Sequence, residues 1–312
     1  MIIYESKEWG VLFKTIGRTF KESYNQQQLL KFVGIVTVYA TLITIFNMHW
    51  LNGKLTMDSM FFSMLGFVLS MFLVFRLNSA YDRWWEGRKA WGKLINDSRT
   101  LALHLHTHIP MEDRRLRKFF VIHISNFAIA LRWHLRNRND LAQDNMIFTN
   151  AKTAEEYEKL KHLPNSIASN MHLKVKEISG GGLMTEFDKI QVRTILQGFI
   201  DVLGVCERIK KTPIPFSHST FIKLFILIYI FILPFGLVPK FEYLTIPAVM
   251  VMAFAMMGIE VISEEIEDPF GEEANSLPTG AMSDGIRESV YEILKVKSKY
   301  VAEGASETGV LS

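Results

Sequence analysis

The densest run of side chains able to do chemistry lies between Phe75 and Gly92, FRLNSAYDRWWEGRKAWG, directly after an apolar stretch. Arg76, Asn78, Tyr81, Asp82, Arg83, Trp84, Glu86 and Arg88 alternate in charge there. This pattern can solvate a helix as it leaves lipid, with tryptophans at the interface and ion pairs one turn apart. His104 and His108 lie one helical turn apart with His106 between them, a spacing that zinc ligands use. No acidic partner stands nearby and Pro110 marks a helix end, where histidine is ordinary, so a metal is not expected. Glu264, Glu265, Glu267 and Asp268, followed by Glu272 and Glu273, read first as helix-end charges paired with basic residues. Metal binding by Asp268, Glu272 and Glu273 is the alternative. Gly180, Gly181 and Gly182 form a joint, and no Lys-Ser/Thr follows to make a phosphate loop. No Ser/His/Asp motif or pair of carboxylates inside an apolar stretch points to an enzyme.

The elements that would position these groups are apolar. The 312 residues are 49% hydrophobic, 12% aromatic and 21% charged. Four stretches approach the ~20 residues that a helix needs to cross a bilayer: residues 29–48, 57–75, 221–237 and 244–262. They carry only Lys31, Asp58, Lys223 and Glu260 as charges, with Pro234 inside the third. The first 28 residues, with Lys7, Lys14, Arg18 and Lys21, contain no cleavable apolar signal. A lone Cys206 excludes a disulfide framework and a cysteine metal site.

Between the two pairs, residues 76–217 hold 23 Lys plus Arg against 15 Asp plus Glu, an excess of eight positive charges. The short links hold one lysine each, Lys54 and Lys240. Cationic residues near spans stay in the cytoplasm. Arg76, Arg83, Arg88 and Lys89, then Arg208, Lys210 and Lys211, therefore place the middle region and both termini inside. Apolar periodicity predicts helices over 80–105, 113–134 and 185–209, whereas 137–169 reads as loops with short helices. The tail from Ser306 reads as disordered. The expected architecture is an all-α polytopic membrane protein with a large cytoplasmic helical region. Its segments are 1–28 (cytoplasmic), 29–75 (two spans), 76–217 (cytoplasmic), 218–262 (two spans) and 263–312 (cytoplasmic).

The run at 76–92 closely resembles the same region of bacterial bestrophins. CERIKKTPIPF at 206–216 resembles the lead-in to that family's third span, and EEIEDPFG at 264–271 its segment after the fourth. The likeness covers roughly residues 10–295. It implies a homopentamer whose second helices surround an ion path, narrowed by an apolar membrane neck and a cytoplasmic aperture. The neck residues would be Met60, Met64, Val68, Met71 and Phe72. They stand at helical spacing beside Ser63, Gly66 and Ser70, which permit close packing, although plain packing or lipid contact fits any one of them as well. The aperture would fall at Phe187 or Ile190, and the vestibule on the 76–88 run. Eukaryotic members bind calcium after the fourth span through an acidic run. Here that run is thinned to Glu272, Glu273, Ala274, Asn275 and Ser276, which argues against calcium regulation; no cofactor is expected. The implied activity is passive flow of small inorganic anions such as chloride. A monovalent cation channel, or a non-conducting receptor or scaffold, are the alternatives. The implied partners are further copies of the chain, the lipid bilayer and inorganic ions, with no nucleic acid; the implied location is a bacterial inner membrane.

Overall fold

The computed structural model describes residues 24–51, 57–137, 146, 157, 160 and 162–296. The readings made for Lys7, Lys14, Arg18, Lys21, Lys54 and the tail from Ser306 lie outside these residues, as does most of 138–161. Every regular element among the described residues is helical. The helices are α1 (Tyr24–His49), α2 (Ser59–His108), α3 (Arg114–Arg136), α4 (Leu163–Gly180), α5 (Glu186–Lys211), α6 (Phe216–Phe241), a 3-10 turn (Glu242–Leu244), α7 (Thr245–Glu267) and α8 (Thr279–Ile293). They belong to two compact units: among the described residues, one is drawn from those up to 84 and 213–268, the other from 85–212 and 269–296. Three helical stretches among the described residues are long and apolar enough to cross a membrane: Asn25–His49, Met60–His108 and Phe216–Glu267. The third comprises α6, the turn and α7.

In the first unit α1, α6 and α7 pack on one another. Their buried residues recur at helical spacing: Val36 and Ala40 on α1, Ile222, Ile226, Tyr229, Ile230 and Leu233 on α6, Val249, Ala253 and Met256 on α7. Phe62, Leu69 and Leu73 of α2 complete this core. The opposite faces are also apolar, with Ile35, Leu42, Phe231 and Val251 exposed. A helix apolar all round belongs in lipid or under a neighbour. Two threonine hydroxyls on α1 turn back onto their own helix backbone. Thr37 donates to the Val33 carbonyl and Thr41 to that of Thr37, both at 2.8 Å, which removes a donor from an apolar surrounding.

Pro234 and Pro239 both sit inside α6 without ending it. Proline lacks the N–H that would serve the carbonyl four residues earlier. The Phe235 carbonyl, freed by Pro239, instead accepts from the backbone N–H of Met57 at 3.4 Å. This is how an interrupted helix stays satisfied away from water.

In the second unit α3 packs against α4, α5 and α8, and α4 against α5. The core includes Phe120, Phe127, Ile167, Met171, Leu196 and Ile286, with the Phe127 and Phe199 rings edge to face at 5.0 Å. Asp113 caps α3 by accepting from the Leu116 N–H at 3.0 Å. Thr185 and Asp188 close a capping box at the start of α5. After α4, Gly182 takes φ +79°, the left-handed conformation that glycine adopts without strain. Residues 163–169, which the sequence reads as the end of a loop region, open a helix that continues to Gly180. Pro164 lies in its first turn, where the missing N–H has no helical partner to serve. Buried Arg117 donates to the carbonyls of His106, Ile109 and Pro110, so the C-terminal end of α2 does not leave its acceptors bare.

Candidate functional site

The first half of α2 has two chemically distinct faces. Phe62, Leu69, Leu73, Arg76 and Ala80 are buried. At roughly 100° per residue they superpose along one line of the helix. Directly across from that line stand Met60, Met64, Phe67 and Met71, which are 69%, 62%, 66% and 45% exposed. Asn78 and Asp82 continue the same exposed face. Val68 is exposed at its flank. Phe72 is partly buried and sits lateral to the stripe, its ring edge-on to Phe221 and Phe225 at 6.1 and 6.3 Å.

The rotation of α2 is fixed by charge as well as by packing. Arg76 has no exposed surface. Its guanidinium donates to Glu267 at 2.7 Å, and its Nε lies 3.6 Å from Glu260 on the same helix, α7. Glu267 also accepts from the Ile214 N–H at 2.9 Å, while its backbone carbonyl accepts from Arg83 at 3.1 Å. Ser219 donates to Glu260 at 3.3 Å, and Lys223 pairs with Glu264 at 2.8 Å. Of the eight polar positions singled out between 76 and 88, Arg76 and Arg83 thus hold α2 to α7. Tyr81 is half exposed and stacks on Trp84 at 6.1 Å.

In the second unit Glu86 accepts from Arg208. Arg88 is partly buried. Gly87 packs against Phe270 and Leu277, so close that a Cβ would meet their side chains at 3.2 and 3.3 Å. Phe187 and Ile190, in the first two turns of α5, are 67% and 61% exposed. The segment after α7 tests the calcium reading. Arg136 donates to the carbonyls of Phe270 at 3.2 Å and Gly271 at 3.0 Å, and lies 3.7 Å from Glu272. Calcium needs six to eight oxygens. The acceptors here already face a guanidinium, and Glu273 is exposed. The residues present do not fit a calcium ion. The His104–His108 series does not converge either. His108 uses Nδ1 on the His104 carbonyl and Nε2 on Asp188, while His106 faces Arg117.

A model of bacterial and fungal bestrophin proteins matches residues 7–292. The chain belongs to the bestrophin family. Its relatives include the voltage-dependent anion channel-forming proteins of Nostoc sp., 32% identical over 77% of this chain and 79% of that protein, and of Ralstonia nicotianae, 31% identical over 86% and 87%. Among solved structures, a bacterial bestrophin homolog from Klebsiella pneumoniae superposes with a TM-score of 0.78 at 24% identity, over 86% of this chain and 99% of that one. That likeness establishes the fold.

One cluster in this bestrophin has no counterpart in the sequence reading. His134 at the end of α3 and His162 before α4 both direct Nε2 to the same carboxylate oxygen of Glu207, at 2.6 and 2.8 Å. Partial burial raises the Glu207 carboxyl, but hydrogen bonds from both histidines and Lys211, with the lysine's charge, overcome it and hold the group at about 2. Residues 45 and 73 positions apart carry no local signal of such a meeting. Beside it, burial pushes the Cys206 thiol up to about 12, aided by the Glu86 and Glu207 charges. Only the thiolate reacts rapidly. Maleimide labelling of Cys206 at neutral pH is therefore expected to be at least about 100-fold slower than for a free thiol until the protein is unfolded; fast labelling of folded protein would show the site to be open.

Proposed function

We propose that this bestrophin is a homopentameric ion channel that passes small inorganic anions, chloride first among them, through a central path lined by α2. The observation that carries the reading is the uncharged stripe of Met60, Met64, Phe67 and Met71, turned away from its own protomer's core on a helix whose rotation is locked by Arg76. An exposed apolar stripe on a lipid-embedded helix needs no explanation by itself. Its continuation into polar Asn78 and Asp82 suits a water-filled path better than lipid. The relatives named as anion channel-forming proteins point the same way. The turn at Glu242–Leu244, inside the long apolar stretch Phe216–Glu267, supports reading that stretch as two crossings and the chain as a four-span protein. The basic residues beside the spans support an orientation with both termini and the helical region in the bacterial cytoplasm.

In this reading Met60, Met64, Val68 and Met71 form the neck, and Phe72 backs it from its seat on Phe221 and Phe225. A ring of such side chains gates by dewetting, because an ion stripped of water finds no replacement ligand there. Phe187 and Ile190 form the cytoplasmic aperture. Asn78, Tyr81, Asp82 and Arg88 belong to the vestibule, framed by Arg76, Arg83, Trp84 and Glu86. Arg136, whose guanidinium faces the Phe270 and Gly271 carbonyls and Glu272, supports a reading in which conduction is independent of calcium. Asp82 on the stripe's own face favours a second reading, a monovalent cation channel, since a ring of carboxylates attracts cations.

The test is flux and reversal potential in liposomes under a potassium chloride gradient. Met64→Ala and Val68→Ala are each expected to raise conductance several-fold by wetting the neck. A reversal potential on the chloride side establishes anion selectivity, and Asp82→Asn then leaves its sign unchanged. A potential on the potassium side, abolished by Asp82→Asn, establishes the cation reading. Absence of current from intact oligomers makes the protein a receptor or scaffold.

A further inference from the structure

We infer that His134, His162 and Glu207 form a binding site for a divalent transition-metal ion of the zinc class, one per chain. The site stands apart from the conduction reading and does not depend on it. Its three ligands come from three segments of one unit: the last turn of α3, the residue before α4 and the penultimate turn of α5. Nε2 of His134, Nε2 of His162 and a Glu207 oxygen all lie within 4.8 Å of one another, the one such convergence of three ligands among the described residues.

The shape is close to that of a coordinated ion. Ligand atoms about 2.0–2.1 Å from a tetrahedral zinc are about 3.3 Å apart. The nitrogens now stand 2.6 and 2.8 Å from Oε1, so they must retreat by about 0.7 and 0.5 Å. Small rotations of three side chains achieve this. The imidazoles already face each other at 4.4 Å between centroids with a 38° tilt. Nδ1 of His162 is buried with no hydrogen-bond partner among the described residues, which leaves the Nε2 contact as this ring's polar anchor.

The donor types choose the metal. Two imidazoles and one carboxylate form a ligand set that zinc uses when it keeps a fourth position for water. Imidazole also suits the neighbouring first-row ions. Calcium and magnesium require more oxygen than the site offers. Access is open, because the His134, His162 and Glu207 side chains are 22%, 34% and 21% exposed. Lys211, 3.1 Å from the second Glu207 oxygen, is 68% exposed and free to swing into solvent as the ion enters. The ion would brace the ends of α3 and α5 to the start of α4, a structural role rather than a catalytic one.

The full-length protein in detergent, stripped with a chelator and titrated with zinc against a chromophoric competitor, tests this. One ion per chain at sub-micromolar affinity is expected, with a higher melting temperature. His162→Ala and Glu207→Gln should each weaken binding at least about 100-fold, at or beyond what outer-shell losses cost. His108→Ala, outside the cluster, should leave it unchanged. Should either cluster variant fail to fold, the visible spectrum of cobalt bound to the unaltered protein reports nitrogen and oxygen ligation directly. Absence of stoichiometric zinc in the unaltered protein, or affinity unmoved in folded His162→Ala and Glu207→Gln, overturns the proposal.

Discussion

Arg76→Met is expected to destabilise the protein by about 3–5 kcal/mol, the cost of leaving a buried charge without its partner. The substitution is nearly isosteric in its stem, so the loss would come from electrostatics rather than from a cavity. Glu267 would keep the Ile214 N–H and Glu260 the Ser219 hydroxyl, but neither would retain the guanidinium. Adding Glu260→Gln to Arg76→Met should recover part of the loss, because neutralising a whole buried set is often tolerated where breaking it is not. Melting of the purified protein followed by size-exclusion chromatography reads both variants. Additive losses would mean that the two side chains act separately, and a loss under about 1 kcal/mol would mean that the buried pair is already relaxed by water.

The second large effect is steric. Gly236 on α6 faces the ring of Phe62, itself buried, and a Cβ added there would overlap the ring. Gly236→Ala is expected to cost about 1–3 kcal/mol through overpacking, and Gly236→Val more. Phe62→Leu should relieve much of that cost by clearing the overlap. Gly204 and Gly285 provide the contrast, since both lie in helices with nothing within 4 Å of where a Cβ would stand. Alanine at either should stabilise by about 0.5–1 kcal/mol, as helix interiors generally respond. Equal responses at Gly236 and Gly204 would remove the close approach of α2 and α6 as the explanation.

The apolar segments were legible because membrane helices advertise themselves by composition: α1 and α6 enclose the stretches 29–48 and 221–237, and α2 and α7 cover 57–75 and 244–262 except for residues 57, 58 and 244 at their starts. Their ends were less so. Apolar length gave residues 221–237, whereas α6 runs Phe216–Phe241, since backbone satisfaction rather than hydropathy decides where it stops. Leu163–Gly180 was hidden by Pro164, which looks like a breaker until it is placed in a first turn. α8 was not assigned at all from the sequence. The orientation of α2 was the hardest to read. In a helix apolar on every side, periodicity cannot separate Leu69, which is buried, from Met64, which is exposed. Arg76 stood in the same motif as Asn78 and Asp82, yet it turns inward because its acidic partners lie some 190 residues further along the chain. The family motif thus names a stretch of α2 without sorting its members by face.

Three of the four residues on the outward stripe of α2 are methionines, and thioethers can change chemically where leucines cannot. Oxidation at Met60, Met64 or Met71 would place a polar sulfoxide on a face proposed above to act as a non-wetting barrier. In the channel proposed above, peroxide should accordingly increase leak, methionine sulfoxide reductase should reverse that increase, and a chain with leucine at all three positions should respond to neither. A membrane barrier built of methionine would then double as a gauge of oxidant exposure.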